Sequence, residues 1–135
     1  MGVTTRSLYG LRLVVYLLKK GGSATVKEVA EMENVPYRYM ERIVQDMRKA
    51  DILSSRRGRG GGITLVNPKK ITLKEIIHAL DGKLINIPCI PFEDGKGCTR
   101  AVDCEARVVW LKLIEQIDSL CGGININTIL RRKHG

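Results

Sequence analysis

Three cysteines fall within sixteen residues, spaced Cys89-x8-Cys98-x5-Cys104, and a fourth, Cys121, stands apart. Thiolates converging from one short segment can hold an iron–sulfur cluster, whose iron sites lie only a few ångströms apart. Left unligated, the same thiols are free for redox sensing. Pro88, Pro91, Gly95 and Gly97 release the segment from helical or strand constraints, so its sulfurs can turn toward one point. Structural zinc is disfavoured, because no paired Cys-x2–4-Cys element is present. Three cysteines leave a four-ligand site incomplete. Asp103, Glu105, Glu93, Asp94, Cys121 or a solvent or small-molecule ligand are the candidates for the fourth place. Cys121 follows Ile117 by four residues on an apolar stripe and reads as a packed cysteine instead. His78 has no second histidine near it and reads as a surface or core residue, not a ligand.

The second chemistry is recognition of negative charge. The chain of 135 residues carries a net charge of +9, unevenly spread. Residues 1–70 hold 14 Lys and Arg against 6 Asp and Glu; residues 71–135 hold 9 against 8. The first half has the electrostatics of a nucleic-acid binder and the second does not. A membrane surface would attract the same charge, but a basic amphipathic helix with bulky apolar anchors is missing. The run Arg56-Arg57-Gly58-Arg59-Gly60-Gly61-Gly62 concentrates arginine on glycine-rich backbone that can approach phosphates or a minor groove. It lacks the lysine and Ser/Thr of a nucleotide phosphate loop. No Ser-His-Asp set or paired catalytic carboxylates with a histidine can be assembled, so an enzyme is not expected.

The elements that must position these groups follow from periodicity. Residues 6–20 form a helix with Leu8, Leu11, Val15 and Leu18 at helical spacing, stopped by Gly21-Gly22. Thr25-Val26-Lys27-Glu28 reads as a capping box opening a short helix over 26–31. Asn34-Val35-Pro36 turns the chain into a helix over 36–50, with proline at its first position. Met40, Ile43, Val44 and Met47 make its core stripe; Arg38, Glu41, Arg42, Gln45, Arg48 and Lys49 share the opposite face. Two short helices and a tight turn make a helix-turn-helix. Strands at 52–55 and 63–66 flank the arginine–glycine run as a hairpin wing. Thr72-Leu73-Lys74-Glu75 caps a helix over 73–80, closed by Gly82. A loop at 83–103 carries three cysteines. The longest helix, 103–121, has Lys112, Glu115 and Asp118 in a narrow charged stripe. Ala106, Val109, Trp110, Leu113, Ile114, Ile117 and Leu120 cover much of the rest, so it needs partners on two sides.

Apolar residues at 44% and charged residues at 27% exclude wholesale disorder. Gly10 and Arg12 interrupt the stretch from Leu8 to Leu18, so no membrane span is expected. Nor is a secretory signal apparent, and a cytoplasmic location with reduced thiols is expected.

Thr4-Thr5-Arg6-Ser7-Leu8-Tyr9-Gly10-Leu11 resembles the opening helix of bacterial winged-helix regulators of the IscR, NsrR and CymR type, the Rrf-two family. Ser54-Ser55-Arg56-Arg57-Gly58-Arg59-Gly60-Gly61-Gly62 is similar to that family's serine, arginine and triple-glycine wing, and the cysteine loop and long helix follow in the family order. The resemblance covers nearly the whole chain. It implies a mainly α fold with a small β-hairpin wing, in three parts. Residues 1–82 are the DNA-binding domain, 83–103 the cluster loop, and 104–135 the dimerisation helix and C-terminal tail.

It further implies a dimeric transcription factor on a near-palindromic operator, with an iron–sulfur cluster on Cys89, Cys98 and Cys104 controlling DNA binding. A 2Fe–2S cluster is favoured, with 4Fe–4S as the other form. By the same resemblance Arg38, Glu41 and Arg57 match base-reading positions; Arg42 and Arg59 join them from their place on the helix and wing. The fourth ligand departs from the relatives. Arg107 stands where IscR-like proteins have histidine, Leu8 or its neighbours stand where NsrR-like proteins have aspartate, and the first spacer is x8 instead of x5. The alternative is a cluster-free winged-helix repressor governed by thiol oxidation or by a partner protein.

Overall fold

The computed structural model describes residues 3–56, 62–85 and 104–134. It is mainly α-helical, with six helices among the described residues and one small sheet. Helix α1 (Thr5–Lys20) ends at Gly21, whose φ of 98° is left-handed and lets its N–H reach the Leu17 carbonyl. Two apolar stripes run along α1, and packing chooses between them. Ser7, Gly10, Leu13, Val14 and Leu17 are buried. Leu8, in the stripe with Leu11, Val15 and Leu18 that the spacing suggests, is 54% exposed. The reason is Gly10: a Cβ there would collide with Leu80 Cδ1, so the bare backbone lets a later helix close onto this side.

Helix α2 (Val26–Met32) is capped by Thr25, whose hydroxyl accepts from the Glu28 amide at 3.0 Å. The expected return bond does not form. The Glu28 carboxylate instead accepts from the Tyr16 hydroxyl at 2.7 Å and pairs with Lys20. A cation is the stronger donor, and it holds the Glu28 pKa below its ordinary value. Asn34, left-handed at φ 54°, turns the chain into α3 (Tyr37–Lys49). Pro36 is the residue before the first turn of α3, not its first residue. Met40, Ile43, Val44 and Met47 are the buried face, as the pattern predicts.

The sheet holds three antiparallel strands, ordered β1 (Ser23–Ala24), β3 (Gly62–Leu65), β2 (Leu53–Arg56). β2 and β3 form the wing hairpin, with Leu53 opposite Leu65 and Arg56 opposite Gly62. β1 covers the other side of β3; two residues are too few to show a period in the sequence.

Helix α4 (Leu73–Leu80) opens with the complete capping box, Thr72 accepting from the Glu75 amide and Glu75 from the Thr72 amide. Its far end is tied to α1. Asp81 accepts from the Ser7 hydroxyl at 2.6 Å, the Thr4 amide at 3.2 Å and the Thr4 hydroxyl. Burial pushes the Asp81 pKa up, but these donors and the nearby Arg6 charge prevail and hold it below the ordinary value.

Helix α5 (Glu105–Gly122) lies against α4, where Asp118 takes Lys74 at 3.2 Å and His78 at 3.3 Å. Residues 126–134, read above as a tail, form helix α6 (Ile126–His134). Its start is bolted down by Ile126 N–H to the Ile71 carbonyl and Leu73 N–H to the Ile124 carbonyl, both 3.0 Å. Ile126 joins the core, with Leu130 packed against it.

Candidate nucleic-acid interface and cysteine segment

The core side of α3 is sealed against α1, α2 and α4, which forces its polar side outward. Arg38, Arg42, Gln45, Arg48 and Lys49 are exposed and Glu41 is half-buried. Arg38, Arg42, Arg48 and Lys49 make no ion pair among the described residues. A solvent-facing helix side with four such cations is suited to a polyanion. Tyr37, in the first turn, lies one turn before Glu41, and the acceptor pull and charge of that carboxylate push the tyrosine pKa up.

Beside α3 runs the wing. Gln45, Arg48 and Lys49 face Leu53, Ser54 and Ser55 across a shallow concavity. Ser54 and Thr64 join their hydroxyls across β2 and β3 at 2.9 Å. Arg56 is exposed at the end of β2. Arg57 and Arg59 lie outside the described residues. Among the expected contacts, Arg38, Glu41 and Arg42 thus share one helix. The helical period already put Gln45, Arg48 and Lys49 on that outer side; Ser54 and Ser55 become neighbours of it only through the packing of β2 on α3.

A second concavity shares Gln45 with the first, and there Arg6 of α1 meets Tyr39, Arg42, Gln45 and Asp46. Arg6 and Asp46 form an ion pair there. Nothing local in the sequence joins two residues forty positions apart.

Cys104 is half-buried at the N-cap of α5. Cys89, Cys98, Glu93, Asp94 and Asp103 lie outside the described residues. Among the described residues, Cys104, Glu105 and Cys121 do not converge into a metal-binding group. Cys121 is packed away at 8% exposure. Arg107, one turn beyond Cys104, holds its Nε buried with no hydrogen-bond partner among the described residues. A buried donor without an acceptor is costly, and an anionic assembly of thiolates and sulfides ending at Cys104 is the kind of group that would supply one. The donor chemistry at this end of the segment therefore fits an iron–sulfur cluster.

A profile of the Rrf2 family, described as an iron-dependent transcriptional regulator, matches residues 3–132. The regulator CymR of Bacillus subtilis is 32% identical over 97 residues, which are 70% of each chain. The regulator IscR of Aliivibrio salmonicida is 26% identical over 133 residues, 96% of this chain and 77% of that one. The solved structure of B. subtilis CymR, the global cysteine regulator of that organism, superposes with a TM-score of 0.70 at 26% identity, over 96% of this chain and 95% of that one. The winged-helix arrangement of helices and small sheet is shared with it.

Proposed function

Because the chain belongs to the Rrf2 family, whose members are transcriptional regulators and not enzymes, we propose that it is an operator-binding regulator switched by an iron–sulfur cluster on its own cysteines. The observation that carries the DNA-binding part is the outward side of α3, whose cations make no ion pair among the described residues, beside the wing. In this reading α3 enters the major groove. Arg38 and Arg42 reach guanine edges or phosphates, Glu41 accepts from a cytosine amino group, and Arg57 and Arg59 of the wing follow the adjacent backbone or minor groove.

The protein acts as a symmetric homodimer on a near-palindromic site. Val109 at 68%, Trp110 at 45%, Leu113 at 36% and Leu120 at 68% exposure form one apolar stripe on α5. The other side of α5 packs on α4. A second copy of the chain seated on this stripe presents two recognition helices about one DNA turn apart.

Cys89, Cys98 and Cys104 hold the cluster as thiolates, with the Arg107 guanidinium beside them as a donor and not a ligand. When bound, the cluster supplies redox- and ligand-sensitive iron. The chain converts its state into geometry. The cysteine segment leaves the end of α4, which Asp81 ties to α1, and re-enters at the start of α5. Drawing the three thiolates to one point fixes where the first turns of α5 stand, and with them the separation of the two recognition helices. A regulator of this kind needs the two arrangements to differ in operator affinity.

The test has two readouts. Anaerobically purified protein should be brown, and Ala at Cys89, Cys98 or Cys104, but not at Cys121, should abolish the visible absorbance and change operator affinity. An Arg38→Ala, Arg57→Ala double variant should bind its operator at least about tenfold more weakly at matched salt. Full absorbance in any one loop variant removes that residue as a ligand, and undiminished binding by the double variant removes the interface. A second reading, cluster-free control through thiols or a partner protein, draws on the similarity to CymR; colourless anaerobic protein with thiol-dependent operator affinity selects it.

A further inference from the structure

The helix-turn-helix is not basic by itself. Residues 25–51 carry five Lys and Arg against six Asp and Glu. Three of the six acidic side chains are paired from α1, which contains four cations and no carboxylate. Arg6 pairs with Asp46 of α3, Arg12 with Glu33 of the turn at 3.1 Å, and Lys20 with Glu28 of α2. Arg6 stands out among the three because its partner borders the outward side of α3. Asp46 lies one turn beyond Arg42 on the same helix, and both line one concavity with Arg6. At that spacing an arginine and an aspartate attract each other. With Arg6 on the carboxylate, Arg42 makes no ion pair among the described residues.

We propose that Arg6 is a positioning residue for DNA recognition. By occupying Asp46 it keeps Arg42 out of an intrahelical ion pair and cancels a negative charge at the edge of the surface that meets phosphate. The inference rests on the reading of α3 as the recognition helix, with Arg42 among its contacts. Without Arg6, Asp46 captures Arg42 and its uncompensated charge faces the duplex, where screening over a Debye length of about 10 Å leaves a neighbouring charge effective. Asp46 is thus a built-in opponent of DNA binding, and α1 silences it from outside the helix-turn-helix.

The experiment measures affinity of the full-length protein for its operator across a salt series. The variants are Arg6→Gln, Arg6→Lys, Asp46→Asn, Arg6→Gln with Asp46→Asn, and Arg42→Ala, each checked by circular dichroism. Arg6→Gln should weaken binding about three- to tenfold, Arg6→Lys should bind nearly as wild type, and Asp46→Asn should bind as tightly as wild type or tighter. The decisive result is the double variant, which should recover the affinity of Asp46→Asn alone. A double variant as weak as Arg6→Gln, with a shallower salt slope, would mean that Arg6 contacts phosphate directly, and the proposal falls. If Arg6→Gln binds as wild type while Arg42→Ala is weakened, the reading of α3 stands and the proposal alone fails. If Arg42→Ala binds as wild type, the assignment of Arg42 to the interface has failed first.

Discussion

Asp81 shows how one carboxylate can hold two helices. It follows the last turn of α4 and gathers the Ser7 hydroxyl with the amide and hydroxyl of Thr4, closing the open amide end of α1 from seventy-odd residues away. These donors favour the ionised form, so its pKa lies below that of the unfolded chain, near 3.9. A depressed carboxylate pKa contributes stability above the unfolded value and loses it as pH falls through the folded one. Asp81→Asn should therefore cost about 1–2 kcal/mol at pH 7. The difference from wild type should close as pH falls from about 4 toward the lowered value. Denaturant titrations at pH 7 and pH 3 check this; an equal difference at both would exclude the ionised carboxylate as the cause.

The wing is held at its root. Gly62 opens β3 opposite Arg56 and beneath β1, and a Cβ at this position would meet the Ala24 carbonyl. The obstruction is backbone, which cannot rotate aside as a side chain does. Gly62→Ala should force β1 off β3, destabilise the fold by about 1–3 kcal/mol and loosen the wing against α3. Thermal melts should show the loss, and operator affinity should fall more than at Gly60, where the same change serves as a control. The glycine run was legible in the sequence as backbone able to approach another molecule. Gly62 makes such an approach to β1, a strand invisible to periodicity.

At the scale of the molecule, one part of the chain awaits company. Among the described residues, helix α5 packs along one side on α4, through the Asp118 link to Lys74 and His78, and its apolar stripe is exposed. Covering that stripe with a second copy places Trp110 and Leu113 near the centre of the seam. A charge inserted there is strongly disfavoured. Leu113→Lys should give a monomer with native helix content and much weaker operator binding, because a single recognition helix meets half the site. Light scattering decides the point: a monomeric wild type would overturn the dimer, and a dimeric Leu113→Lys would move the seam elsewhere.

The resemblance to winged-helix regulators and the family match agree, and the physical basis of the agreement is local. The stripe of Met40, Ile43, Val44 and Met47 and the Thr72–Glu75 capping box are set by residues three or four apart. Such spacing favours a helix face or a helix start from local residues alone. Where two local solutions competed, distant partners chose. On α1 the closeness of Leu80 to Gly10 buried the stripe through Leu13 and Leu17 and left Leu8 in solvent. At the start of α2, Lys20 and Tyr16 drew Glu28 away from its capping box. The helix over 126–134 carries Ile126, Ile129 and Leu130 at helical spacing, but only the core decided that Ile126 would be buried with Leu130 packed against it. The neutralisation of Asp46 by Arg6 belongs to the same class. Residue type and spacing determined which face of α3 would be charged; only the tertiary arrangement, by bringing α1 alongside, decided which of those charges remain free.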